Sequence, residues 1–318
     1  MSLGRATIGP PPEGPVVTWS VMIPTYNCAN YLAECLRSVL AQAAPEDEMQ
    51  IEVIDDASSD DPQAVVEAVG LGRVAFHRQP RNIGHTENFA SALRRARGRY
   101  VHLLHGDDRV EPGFYAALQR GFEADEGVVL AFSRHRFIDA SGAVLSDSDL
   151  EADRPGPLAD AVVRLAEEQR IMTPSVAVRR SAYEKVGGFD PRLRYCEDWE
   201  MWVRLAALGG VWYEPAILAS YRMHGAGITG RTFRFAGELA YVSKAIDIFI
   251  DYLPTSERAP VRSRARRTYA QTAVGNAVRL ARGGDPLGAS AHAWRAICLD
   301  PRPLALARAT VRAARQPR

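Results

Sequence analysis

Lysine is almost missing from this 318-residue chain: it occurs only at Lys185 and Lys244, so arginine carries nearly all the positive charge. That arginine dominance is a bias of the whole chain as much as a local device. Cysteine is scarce too. Cys28, Cys35, Cys196 and Cys298 form no Cys-x-x-Cys pair and no ligand spacing with histidine, which argues against a zinc knuckle or a disulfide framework and for free thiols in a reducing cytoplasm. No apolar run approaches the ~18–20 residues needed to span a bilayer. The first fifteen residues are rich in Gly and Pro and lack the apolar stretch of a secretion signal, so they read as a disordered leader.

What is present is an ordinary globular composition, 47% hydrophobic and 24% charged, enough for a sizeable core. The net charge of +1 hides an asymmetry. From Glu257 to Arg318 there are thirteen Arg against Glu257, Asp285 and Asp300, a net +10, which leaves −9 on the remainder. The two parts should meet different surroundings. No feature marks a nucleic-acid partner.

Short apolar runs alternate with helical patterns through the first third. Strands are predicted at Trp19–Ile23, Ile51–Ile54, Val74–His77 and Tyr100–Leu104. Between them Tyr31, Leu32, Cys35, Leu36, Val39 and Leu40 recur at helical spacing, Pro62–Val69 forms a short helix, and Phe89, Leu93 and Ala96 mark another that ends at Gly98. Strands joined by crossover helices imply an α/β fold with a mostly parallel sheet. Further on, helices are expected at Pro112–Glu123, Leu158–Glu168 and Trp199–Leu208, and strands at Val128–Ile138, Val176–Val178 and Val211–Tyr213. Beyond Gly230 the pattern is purely helical. The expected organisation is therefore a leader (1–15), a nucleotide-binding α/β domain (16–230) and a C-terminal helical appendage (231–318).

Three polar clusters sit where strands end, which is where open α/β sheets bind ligands. They are Pro24-Thr-Tyr26-Asn27, Asp55-Asp56-Ala-Ser-Ser-Asp60 and His105-Gly106-Asp107-Asp108. A carboxylate at Asp56 can accept a base N–H, Tyr26 can cover a ring face, and the Asp107–Asp108 pair suits a hard divalent cation that bridges diphosphate oxygens. Each cluster alone has a plain alternative. Asp and Asn are ordinary turn residues, and Asp56-Ala57-Ser58 has the composition of a helix cap. Three in register along one sheet edge outweigh that. A fourth cluster, Tyr195-Cys196-Glu197-Asp198-Trp199-Glu200, opens a helix, where the dipole favours a charged carboxylate.

Taken together, Val21-Met-Ile-Pro-Thr-Tyr-Asn27, Val53-Ile-Asp-Asp-Ala-Ser-Ser-Asp60, Asn82-Ile-Gly84 with Asn88, Gly106-Asp-Asp108 and Glu197-Asp198 resemble the family 2 glycosyltransferases of the GT-A fold. The resemblance covers about Trp19 to Gly227. It implies that Pro24 and Tyr26 contact the nucleoside, with Asn27, Asp55, Asn82, Gly84 and Asn88 in the same nucleotide-sugar site, and that Asp56 reads a pyrimidine. Asp107 would touch the ribose or the metal shell, and Asp108 would ligate Mn²⁺ or Mg²⁺, with Gly106 standing in the first place of an Asp-x-Asp pattern. Asp198 would be the general base and Glu197 would orient acceptor hydroxyls. Arg222 and His224, in Ser220-Tyr-Arg-Met-His-Gly225, resemble the family's closing motif, in which Arg222 holds the loop and His224 approaches diphosphate or metal. His77, His85, His102 and His105 receive no role, and His102 is expected to be a packed side chain.

The same likeness implies an inverting, single-displacement transfer from a nucleotide-sugar, UDP-linked by the Asp56 argument, to a carbohydrate, lipid-linked or small-molecule acceptor in bacterial polysaccharide or glycoconjugate synthesis. A sugar-1-phosphate nucleotidyltransferase would need a Gly-rich basic loop after the first strand, which is absent. A scaffold with a dead nucleotide site would not need Asp56, Asp108 and Asp198 intact. In the appendage, Ala265–Arg282 and Pro286–Leu299 are expected to form a helical hairpin similar to one tetratricopeptide unit, with apolar positions at Tyr269, Ala273, Ala277 and Leu280 and at Ala289, Ala293 and Ile297. Such a unit cannot bury its apolar face alone. Packing within the chain, a homodimer, and contact with the inner face of a membrane stay open as its partners.

Overall fold

The computed structural model describes residues 4–224 and 233–302, and the expected domain boundary at Gly230 lies outside them. The apolar run of β1 (Val17–Thr25) lies at the centre of a parallel set, with β2 (Met49–Asp55) on one side and β4 (Gly98–Leu103) on the other; β3 (Ala75–Arg78) continues beyond β2. Burial on both faces explains why β1 reads as a nearly unbroken apolar run. α1 (Ala29–Leu40), α2 (Pro62–Gly70) and α3 (His85–Arg95) make the crossovers. α1 buries Leu32, Cys35, Leu36 and Val39, a stripe at positions i, i+3, i+4 and i+7. These side chains join Trp19, Val21, Ile23 and Val53 in the core of the sheet.

Beyond β4 the sheet becomes mixed. β9 (Val176–Arg179) is antiparallel to both β4 and β6 (Val128–Ile138), and β10 (Gly210–Arg222) runs parallel to β6. Among the described residues the order is β3-β2-β1-β4-β9-β6-β10-β5, with β5 at Arg109–Val110. Two short strands, β7 (Val144–Asp147) and β8 (Gly156–Pro157), attach to β6 and β10. Helices α4 (Phe114–Ala124), α5 (Ala161–Glu167), α6 (Arg180–Val186) and α7 (Glu197–Ala206) complete this part of the chain.

Two sequence expectations are corrected. Gly98 does not end a helix: α3 stops at Arg95, and Gly98 opens β4. A Cβ there would lie 2.3 Å from the Ser20 backbone nitrogen, so the close approach of β1 and β4 requires glycine. The segment expected as a disordered leader is tied down over its described residues. Ile8 is buried, the Gly188 N–H donates to Ala6 O at 2.8 Å, and the Arg180 guanidinium donates to Gly9 O at 3.1 Å. Gly187 (φ 77°) makes room for it, since a Cβ there would come to 3.0 Å from Ala6 O. The plain alternative for Asp56, a helix cap, does not apply: the N-cap of α2 is Asp61, whose side chain accepts from the Ala64 N–H.

The chain divides into two compact units. The first comprises Met1–Ala161, Arg170–Arg192 and Arg204–Met223 and carries the sheet. The second comprises Val162–Gln169, Leu193–Val203 and His224–Arg318, so it takes in the start of α7 as well as the C-terminal helices. Those are α8 (Gly237–Phe249), α9 (Thr255–Arg282) and α10 (Pro286–Leu299). Trp199 ties the start of α7 to these helices. Its buried ring packs against Phe249 (4.8 Å between centroids) and Tyr269 (5.1 Å), and its indole N–H donates to Leu165 O at 2.6 Å. Tyr269 also takes a hydrogen bond on its hydroxyl from the Gln169 N–H. The helices thus pack within the chain. The expected face of α10 is displaced, however. His292, Ala296 and Leu299 are buried, while Ala289, Ala293 and Ile297 line an open apolar groove of about 440 Å³ with Val274 and Ala277. Among the described residues no helix is long and apolar enough to cross a membrane.

Candidate active site

In the first unit, parallel register puts the three strand ends side by side. Thr25 pairs with Asp55, Asp55 with Arg78, and Met22 with Leu103. The loops that follow are bonded to each other. The Asp56 N–H donates to Thr25 O (3.0 Å), and the Gly106 N–H donates to Pro24 O (3.2 Å). The predicted nucleotide and metal clusters therefore converge on one edge.

The side chains divide into those that shape the loops and those that face outward. Asp55 has no exposed surface. Its carboxylate takes hydrogen bonds from the Ser58 N–H and hydroxyl and pairs with Arg78 at 2.9 Å, so it organises the loop and is not open to a ligand. Asn27 holds a left-handed conformation (φ 52°) that Asn tolerates, and its Oδ1 accepts from the Ser59 N–H at 2.7 Å. Asn88 is buried as a brace between Ile54 O (2.9 Å) and Gln79 (3.2 Å). Asn82 donates to Asp56 O at 3.2 Å. Asp56 is buried and accepts from the Ile83 N–H (2.7 Å) and the Gly84 N–H (3.0 Å), the latter presented by a glycine at φ 84°. Burial raises its carboxyl above the ordinary range, and the two N–H bonds oppose that shift. Tyr26 is half exposed.

The metal candidates sit on a turn closed by the Asp108 N–H donating to His105 O at 3.0 Å. That turn brings His105, Asp107 and Asp108 into one cluster whose ligand atoms lie within 4.8 Å of one another. Asp108 is 2% exposed. One oxygen accepts from the Arg222 N–H at 2.8 Å, while Oδ2 is buried with no hydrogen-bond partner among the described residues. Burial, with the Asp107 charge adding to it, pushes the Asp108 carboxyl well above the carboxylate range. A buried carboxylate with an unused oxygen and an acidic neighbour fits a cation. The residues present therefore suit a divalent metal. His105, given no role from sequence, belongs to this cluster; its place two residues before Asp107 was the available signal.

Arg222 does hold the loop. Its Nε donates to Asp107 O (2.8 Å), its Nη groups reach Asp139 O (3.2 Å) and Glu34 (2.5 Å), and the guanidinium lies 4.7 Å above the Tyr31 ring. At 4% exposure it is a clamp with little surface left for a nucleotide. His102 is fully buried between Pro174 O (3.0 Å) and Tyr115 (3.3 Å), as expected of a packed residue, and burial lowers its pKa to about 3.

The second unit holds Glu197, Asp198 and His224, all partly buried. Cys196, at φ 64°, turns the chain sharply into α7, and such strain in a residue other than glycine is typical of functional corners. Asp198 accepts from the Trp199 N–H (2.8 Å) and from Gln169 Nε2 (2.7 Å). A carboxylate can accept several hydrogen bonds at once, so a group of this kind can take a proton from a bound hydroxyl. Glu200 turns inward and accepts a hydrogen bond from the Tyr252 hydroxyl at 2.7 Å.

Solved structures share this fold. S. aureus TarS 1-349 in complex with UDP-GlcNAc superposes with a TM-score of 0.65 at 16% identity, over 93% of this chain and 89% of that one. The mannosyltransferase PcManGT from Pyrobaculum calidifontis, in complex with GDP-Man and Mn²⁺, gives 0.59 at 19% identity, over 98% of this chain and 84% of that one. The fold is thus the GT-A glycosyltransferase fold. In sequence, a profile described as Glycosyl transferase family 2 matches residues 20–187, and the chain belongs to that family. An uncharacterized protein of Mycobacterium tuberculosis (strain CDC 1551 / Oshkosh) is 34% identical over 225 residues, 67% of this chain and 68% of its own length. The chondroitin synthase of Escherichia coli is 26% identical over 65% of this chain, which spans only 29% of that enzyme.

Proposed function

We propose that this protein transfers a sugar from a nucleotide-sugar, UDP-linked, to a hydroxyl of a carbohydrate, lipid-linked or small-molecule acceptor, with inversion and with metal assistance. The observation that carries the reading is the convergence of Tyr26, Asp56 and the His105–Asp107–Asp108 cluster on one sheet edge, where Asp108 keeps an unused buried oxygen. Tyr26 covers the base, and Asp56, fixed by two backbone N–H groups, accepts a ring N–H. His105, Asp107 and Asp108 would hold Mn²⁺ or Mg²⁺. Such an ion, when bound, neutralises charge developing on the departing diphosphate.

Asp198 takes the acceptor hydroxyl's proton as that oxygen bonds to the anomeric carbon, and the nucleoside diphosphate leaves with the bonding electron pair. One displacement inverts the anomeric configuration and needs no covalent glycosyl intermediate. Gln169 keeps the Asp198 carboxylate oriented, and Glu197 orients the acceptor. The test is nucleoside diphosphate release from UDP-, dTDP- and GDP-sugars, with Mn²⁺, with Mg²⁺ and with chelator. Release that depends on metal and favours UDP is expected. A chain that binds no nucleotide-sugar in any of these conditions refutes the proposal.

A further inference from the structure

The metal cluster contains one nitrogen donor, and its geometry allows a choice between two readings of His105. Nδ1 of His105 lies 3.8 Å from Asp108 Oδ2. That separation is too long for a hydrogen bond, which weakens beyond about 3.2 Å. It suits two ligands of one ion: with each about 2.1 Å from the metal, their separation can reach about 4.2 Å but no more. The ring is also held in place. Phe89 stacks on it at 5.2 Å and 15°, and Phe89 itself is buried and braced edge-on by Phe189 and His85. The backbone is fixed by the turn bond to Asp108 and by the Cys35 thiol, 3.6 Å from His105 O.

We propose that His105 is an inner ligand of the catalytic cation, and that its imidazole makes this site select a transition-metal ion such as Mn²⁺ over Mg²⁺. Carboxylate and water ligands suit Mg²⁺ and Mn²⁺ alike, whereas an imidazole favours the transition ion, and Mg²⁺ gives up its water reluctantly for nitrogen. A histidine in place of a third carboxylate also removes one negative charge, which costs the hard ion more than the softer one. The inference rests on the metal-assisted transfer proposed above and concerns which ion serves it.

The experiment uses the full chain. Mn²⁺ and Mg²⁺ are titrated calorimetrically, and the Mn²⁺ complex is examined by pulsed electron paramagnetic resonance for coupling to a ligand nitrogen. Wild type should bind Mn²⁺ about tenfold or more tighter than Mg²⁺ and show nitrogen coupling. His105→Asn should lose about tenfold in Mn²⁺ affinity and lose the coupling, with Mg²⁺ binding little changed. His105→Asp should move the preference toward Mg²⁺. A wild-type Mn²⁺ complex without nitrogen coupling overturns the proposal, a result that needs no variant to fold. If metal-dependent diphosphate release persists in that case, the transferase reading stands without His105. If wild type binds neither cation, the metal-assisted reading falls as well.

Discussion

Placing a side chain at Gly106 should damage the metal loop even when it adds a carboxylate. A Cβ built at this position meets Thr25 Oγ1 at 2.9 Å, Cys28 Sγ at 3.0 Å and Thr25 Cβ at 3.2 Å. None of these atoms is the loose end of a long side chain. Thr25 is β-branched and buried in β1, and its hydroxyl lies 2.8 Å from the buried Cys28 thiol. Relief must come from moving the loop, so Gly106→Ala should cost about 1–3 kcal/mol, the usual range for overpacking. At about 2–4 °C per kcal/mol for a domain of this size, the melting temperature should fall by several degrees. Because the turn carries both His105 and Asp108, Mn²⁺ affinity should fall with it. Cys28→Ala in the same background removes the Sγ contact, and should recover part of the loss, a coupling of roughly 0.5 kcal/mol or more. The sharper test is Gly106→Asp, which would complete the acidic Asp-x-Asp pattern. The packing predicts weaker metal binding and lower stability than wild type. Scanning calorimetry and Mn²⁺ titration decide. A Gly106→Asp protein that is as stable as wild type and binds Mn²⁺ more tightly refutes the reasoning.

Asp108→Ala should abolish the metal dependence of UDP binding by calorimetry, because it removes the buried oxygen that the cation would use; unchanged, metal-dependent affinity would contradict this. Asp198→Asn should lower turnover by about 10²–10⁴ with donor affinity retained, and near-normal turnover would move the base to Glu197. His102 and His135 are buried neutral, with pKa values lowered by burial to about 3 and about 4. Between those values and about pH 6.5 the unfolded chain binds protons that the folded one does not, so stability falls as pH falls. By pH 5 each should have cost roughly 2 kcal/mol relative to pH 7, and His102→Gln should flatten the pH dependence of the denaturation midpoint. A chain ended before Pro254 loses Tyr269 from the Trp199 ring and should melt far lower or aggregate; a stable, soluble fragment would show that α9 is dispensable to that packing.

The local code of this chain was readable because its signals are local. Alternating apolar runs placed β1 to β4 and their crossover helices, and parallel pairing then carried the Pro24, Asp56 and Asp108 clusters to one edge. The same periodicity could not find β5, β7 or β8, which are two to four residues long and exist through their partners in β6 and β10. Nor could it set the buried face of α10. Small alanines surround that helix on several sides, and packing against its neighbours selected His292 and Ala296 over Ala293 and Ile297.

Some roles depend on residues far away in the chain, and only the tertiary structure decided them. Gly98 and Gly106 look like ordinary turn glycines in sequence. They are needed because Ser20, Thr25 and Cys28 occupy the space a Cβ would fill. Arg222 became a clamp when Glu34, Asp107 and Asp139 met around its guanidinium. His105 gained a role through a four-residue turn and a Phe89 ring stacked on it. Sequence determined which chemical groups this protein owns and which strands carry them. Three-dimensional packing decided which groups lie within a bond length or two of each other, because burial and distance fix whether a carboxylate binds an ion, caps a loop or pairs with an arginine.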